Sequence, residues 1–146
     1  MAGERNTTRG VTLIELIVVL AILGIAMALA GPATQRVVEK FSLNSTGHQL
    51  VSAFRLARHE ARLSQREVLG RLAAGEFVLQ RGEQRLKGLK LPGGVEAESG
   101  EREITYSFLA SGQILGPERI QLISGGRYRG ALILGPPPGT VRFEMP

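Results

Sequence analysis

The stretch VTLIELIVVLAILGIAMALA, residues 11–30, decides the organisation of this chain. Its 20 residues include one charged side chain, Glu15. A helix of about 20 apolar residues is about 30 Å long, which matches the hydrocarbon core of a bilayer. The preceding residues carry Arg5 and Arg9, and basic residues at this end favour a cytoplasmic N-terminus. The pattern predicts one membrane span, with the rest of the chain exported.

Glu15 is the feature of this segment that a plain membrane anchor does not explain. A charge inside a bilayer costs at least about 2.5 kcal/mol, and such residues are usually paired and functional. After Glu15, the first basic residue is Arg36, beyond the apolar run. The partner of Glu15 must therefore come from elsewhere, such as another subunit or a terminal amine.

A cleavable secretory signal is an alternative explanation for the same segment. Ala28-Leu29-Ala30 has the small-residue pattern of a signal peptidase site, which would place the cut after Ala30. Against this, the apolar run is longer than the ~7–15 residues usual for a secretory signal, and it contains a carboxylate. A generic secreted protein therefore stays as a third and weaker hypothesis.

The residues around the start of the span, RGVTLIE at positions 9–15, resemble the processing signal of type IV pilins and type II secretion pseudopilins. The resemblance implies that a prepilin peptidase removes the leader, residues 1–10, by cutting after Gly10, and that Val11 is then N-methylated. It also implies that Glu15, with Thr12 beside it, serves subunit assembly by neutralising the N-terminal amine of a neighbouring subunit. Val11 departs from the family, in which phenylalanine is usual at this position.

Pro32 follows the apolar segment, at a position where this family often carries a helix-kinking proline. Gly31-Pro32 also predicts a local kink or break on physical grounds, because proline lacks the N–H that a helix needs. Residues 11–30 are therefore assigned to a membrane and assembly helix, and the periplasmic part is expected to start at residue 31.

Residues 31–66 have the spacing of an amphipathic helix. Apolar or small side chains recur at steps of three and four, at Leu43, Gly47, Leu50, Phe54, Ala57 and Ala61. Four arginines, Arg55, Arg58, Arg62 and Arg66, lie on an adjacent face. No aromatic residue interleaves them, so a solvated face, or arginine stems covering apolar surface, is favoured over a nucleic-acid surface.

Residues 67–146 change character, with frequent glycine and proline between short alternating runs. The chain therefore has the pattern of an α+β protein: a long N-terminal helix, with a membrane half and an amphipathic half, packed on a C-terminal antiparallel β domain. Gly125-Gly126 predicts a tight turn. The expected strands are Glu67–Leu72, Glu76–Gln80, Gln84–Leu91, Val95–Glu98, Ile104–Phe108, Arg119–Ser124, Tyr128–Leu134 and Thr140–Glu144.

A second resemblance covers the junction between helix and strands. HQLVSAFRLARHEARLSQRE, residues 48–67, is similar to the helix of the GspH/FimT group of minor pilins. LPGGV at 91–95 and FLASG at 108–112 resemble two further stretches of that group, the latter without its usual proline and aspartate. The resemblance implies a pilin-like fold and a structural role in a filament.

Composition excludes several kinds of active site. The 146 residues include no Cys, and all 13 acidic residues are Glu, which removes thiolate metal sites, Cys nucleophiles and Ser-His-Asp triads. The two histidines, His48 and His59, are about 16 Å apart along a helix and cannot share one metal ion. We therefore expect no enzyme activity, no cofactor and no metal.

GRYR at residues 126–129 has the form GRxR, which resembles a DNA-binding motif of some FimT-type pilins. Arg127 and Arg129 would contact DNA in that alternative. The motif lies in an expected hairpin turn with a further strand after it, and not in an exposed tail. DNA uptake by a FimT-like minor type IV pilin is therefore kept as the lesser hypothesis, and a nucleic-acid partner is not expected.

The resemblances favour a GspH-like minor pseudopilin of a bacterial type II secretion system. Such a subunit is inserted in the inner membrane as a single span, with its C-terminal domain in the periplasm. After processing it joins the periplasmic pseudopilus, at or near the tip, and helps to move folded proteins across the outer membrane. The implied partners are other pseudopilins, the prepilin peptidase and the inner-membrane secretion machinery.

Overall fold

The structure, a computed structural model, describes residues 11–98 and 102–146, with the backbone alone for residues 29–33. A 52-residue helix, α1, is followed in the described residues by β-strands only, so the predicted α+β order is confirmed. The elements are α1 (Leu13–Ser64), β1 (Val68–Ala73), β2 (Glu76–Arg81), β3 (Gln84–Lys90), β4 (Val95–Glu98), β5 (Glu103–Phe108), β6 (Ile114–Leu115), β7 (Arg119–Ser124), β8 (Tyr128–Gly135) and β9 (Thr140–Glu144).

Helix α1 is continuous through Gly31 and Pro32, so the predicted break there is wrong. Proline removes one helical hydrogen bond, and a long helix keeps the remaining bonds on both sides of it. The kink at Pro32 stays a prediction. Over the described residues, no helix is both long and apolar enough to cross a membrane, so the span expected at residues 11–30 is not shown.

The chain divides into two compact units, Met1–Arg36 and Val37–Pro146. From Leu13 onward the first unit is helical, and its large apolar side chains from Leu13 to Met27 are between 47% and 78% exposed. The second unit holds the remainder of α1 and all the strands of the described residues.

Two antiparallel sheets make up the β part of the second unit. The five-stranded sheet has the order β3-β2-β1-β5-β6, and the four-stranded sheet has the order β4-β7-β8-β9. Three strands have the bounds predicted from sequence, and five others differ by a residue at one or both ends. The short strand β6 was not predicted, because two residues are too few to display alternation.

The predicted apolar face of the amphipathic helix, here called the seam, contains Leu43, Gly47, Leu50, Phe54, Ala57 and Ala61. This face packs against both sheets, since one cluster of buried side chains includes α1 residues and residues of each sheet. Phe54 lies at its centre, with its ring 5.3 Å from that of Phe77, 4.8 Å from Tyr106 and 5.2 Å from Phe108. Burial raises the pKa of Tyr106 far above its usual value, and the hydroxyl donates to the carbonyl of Pro117 at 3.2 Å.

Gly47 is the one glycine of the seam, whose other residues carry apolar side chains. A Cβ built on Gly47 would lie 2.4 Å from the Phe143 ring, and one built on Gly130 would also lie 2.4 Å from it. The ring of Phe143 therefore lies between the helix and strand β8. Only glycine at both positions allows this close approach.

Candidate assembly site

Thr12 caps the N-terminus of α1. The N–H of Glu15 donates to Thr12 Oγ1 at 3.3 Å, and the N–H of Leu16 donates to the Thr12 carbonyl at 3.2 Å. Threonine followed three residues later by glutamate is the sequence pattern of a capping box. This pattern could have identified the helix start from the sequence, beside the assembly role expected for Thr12.

Glu15 and Val11 are both exposed at this helix end, and Gly10 lies outside the described residues. Among the described side chains, none forms an ion pair with the Glu15 carboxylate. The carboxylate in the first turn complements the positive end of the helix dipole. Val11 precedes the cap, so an amine at Val11 would add positive charge at an end that is already positive.

The four arginines predicted to share one face of the helix, Arg55, Arg58, Arg62 and Arg66, do not form one solvated face. Arg58 donates from Nε to the carbonyl of Gly112 at 2.9 Å and from Nη1 to the carbonyl of Gly139 at 3.0 Å. Arg62 donates from Nη2 to the carbonyl of Ser111 at 3.3 Å. Two of the four side chains therefore bind the loops after β5 and β8 to the helix, a role that the sequence did not reveal.

Arg127 and Arg129 lie at the β7–β8 hairpin, as the sequence predicted. Gly125 and Gly126 have φ of 57° and 68°, and the N–H of Arg127 donates to the Ser124 carbonyl at 3.2 Å. These angles are those of a type I′ turn. Both arginines are exposed, Arg129 lies within β8, and strand β9 follows, so the motif is part of a hairpin and not of a free tail.

Both histidines of the chain lie on α1. Within the described ranges, no three His or Glu side chains form a group that could hold a metal ion. The ring of His48 lies edge-on to Phe143, with the centroids 6.0 Å apart.

The N-terminal end of this chain matches the model of a known sequence family. Residues 5–31 match the prokaryotic N-terminal methylation motif, a range that contains Gly10, Val11, Thr12 and Glu15. No curated protein matches the chain.

Among solved structures, the minor pseudopilin EpsH from the type II secretion system of Vibrio cholerae is similar, with a TM-score of 0.54 and 15% sequence identity. The match covers 72% of this chain and 98% of that one. The predicted pilin-like α+β fold is therefore confirmed: a long N-terminal helix packs on antiparallel sheets, as in a minor pseudopilin.

Proposed function

We propose that this chain is a minor pseudopilin of a type II secretion system, a structural subunit without enzyme activity. The observation that carries the proposal is the combination of an N-methylation motif at residues 5–31 with the fold of a minor pseudopilin. EpsH, the protein of similar fold, belongs to such a system. In that role the subunit joins a periplasmic pseudopilus, at or near its tip, that helps folded proteins across the outer membrane.

Processing prepares the N-terminus for assembly. Prepilin peptidase cuts after Gly10 and methylates Val11, which leaves the new amine next to the Thr12 cap at the positive end of the helix. A carboxylate offsets this unfavourable charge strongly where water is excluded. The exposed Glu15 of an adjacent subunit supplies that carboxylate, which accounts for a charge inside an otherwise apolar segment.

The exposed apolar surface of α1 supports a proposal for where the subunit resides before and after assembly. Large apolar side chains from Leu13 to Met27 are uncovered in the isolated chain. Water is a poor environment for so much contiguous apolar surface. The inner membrane covers this surface first, with the N-terminus in the cytoplasm and the C-terminal domain in the periplasm. The helices of neighbouring pseudopilins cover it afterwards.

Substitution of Glu15 tests the assembly role. The chain is expressed with the other pseudopilins of its own system, and the amount that co-purifies with them is measured. We expect Glu15→Gln to be cleaved normally but recovered with the other pseudopilins at a small fraction of the wild-type level. Glu83→Gln, an exposed carboxylate in the β2–β3 turn, is the matched control and should assemble normally. Normal assembly of Glu15→Gln would contradict the proposal.

A further inference from the structure

Glu39 lies on α1 near the start of the second compact unit, with its carboxylate against the β7–β8 turn. A Cβ built on Gly125 would lie 2.5 Å from Cδ and 2.5 Å from Oε2 of Glu39. A glycine at the turn is therefore required for the carboxylate to lie this close. The positive φ of Gly125, 57°, favours glycine independently.

One oxygen of this carboxylate lacks a hydrogen bond. Oε2 of Glu39 is buried, and no donor reaches it within the part of the chain that the structure describes. Two backbone donors of the turn are already used, since Gly125 N–H donates to the Gly94 carbonyl at 3.1 Å and Arg127 N–H to the Ser124 carbonyl at 3.2 Å. A buried carboxylate oxygen without a donor destabilises the isolated fold, so its presence calls for an explanation.

The helix surface beside Glu39 carries two exposed apolar side chains together with the exposed Lys40. Val38 is 56% exposed and Phe41 is 71% exposed. Val38 directly precedes Glu39 in the helix and points about 100° away from it around the helix axis. A protein that covers Val38 would therefore bring its own side chains next to the half-buried carboxylate.

We infer that Glu39 accepts a hydrogen-bonded ion pair from a Lys or Arg side chain of a neighbouring pseudopilin. The inference rests on the proposed function, because it requires that this chain assembles with such neighbours. Among the described residues of the free subunit, the carboxylate has no ion-pair partner, and it gains one when the neighbour covers Val38. A cationic group fits because a charged donor compensates a partly buried carboxylate better than a neutral donor does.

The test uses the full chain, expressed with the other pseudopilins of its own system, in three forms: wild type, Glu39→Gln and the Glu83→Gln control. Glutamine keeps the shape of Glu39 but removes its charge. We expect Glu39→Gln to be processed normally and to unfold at the wild-type temperature or above it. Its recovery with the other pseudopilins should fall about ten-fold, equivalent to about 1.4 kcal/mol, while Glu83→Gln is recovered like the wild type.

Two results would overturn the inference while the proposed function stands. Wild type and Glu39→Gln could be recovered equally with the other pseudopilins, which would exclude an intersubunit role for the charge. Alternatively, Glu39→Gln could unfold well below the wild type, which would mean that the carboxylate is already bonded within its own domain. Wild type that does not co-purify at all would refute the proposed function, and the inference with it.

Discussion

Replacement of Arg58 by alanine should weaken the link between α1 and the loops after β5 and β8. The guanidinium donates to the carbonyls of Gly112 and Gly139, at 2.9 and 3.0 Å. Hydrogen bonds from a charged group contribute about 1.5–3 kcal/mol each, and the half-buried position of Arg58 reduces that value. We therefore expect Arg58→Ala to lower the free energy of unfolding by about 2–4 kcal/mol. For a domain of this size, that lowers the midpoint by about 8–16 °C.

The assay is thermal unfolding of Val37–Pro146, the second compact unit, followed by circular dichroism. Arg55→Ala is the matched control, because Arg55 is an exposed arginine of the same helix. Its midpoint should stay within about 2 °C of the wild type, since surface substitutions usually change stability by less than about 0.5 kcal/mol. Arg58→Lys should be intermediate, because one ammonium cannot reproduce the fork of a guanidinium. Equal midpoints for Arg58→Ala and Arg55→Ala would refute this account of the loops.

Three further predictions concern the β domain. Gly130→Ala should destabilise Val37–Pro146 by about 1–3 kcal/mol in chemical unfolding, because the new Cβ would overlap the Phe143 ring; an unchanged unfolding midpoint would contradict the close packing. In a gel-shift assay at physiological salt, the wild type should slow the migration of DNA no more than the Arg127→Ala/Arg129→Ala variant does. A salt-dependent shift that is seen with the wild type and lost in the variant would favour the FimT-like alternative. Burial raises the pKa of Tyr106, so unfolding favours its ionised form, and stability should fall as pH rises above about 10. This fall should be smaller in Tyr106→Phe, and equal pH profiles by thermal unfolding would contradict it.

Much of the fold was predictable from the sequence because buried apolar residues recur at the spacing of a helix or a strand. Leu50, Phe54 and Ala57 recur at helical spacing because one face of α1 meets the sheets, and all three are buried. Strand Ile104–Phe108 was predicted from alternation, and Ile104, Tyr106 and Phe108 are indeed its buried residues. The turn at Gly125-Gly126 was predictable because a type I′ turn needs positive φ at both central residues.

Contacts between distant parts of the chain were not predictable from periodicity. Arg58 reaches carbonyls that are 54 and 81 residues away, and nothing in local sequence pairs a helix arginine with those two loops. The carboxylate of Glu39 likewise contacts a glycine of a turn far along the chain. The methylation motif at residues 5–31 was readable from the sequence because all of its residues lie in one local stretch.

The mass and N-terminal sequence of the mature protein, isolated from cells that carry its own secretion system, show whether the chain is processed as a pseudopilin. We expect a mature chain that begins at Val11 and carries one additional methyl group on its amine. Blocking the cut with Gly10→Leu should leave the leader attached. A mature chain that begins at Gly31, as after signal-peptide cleavage behind Ala30, or an unmethylated chain that still begins at Met1, would contradict it.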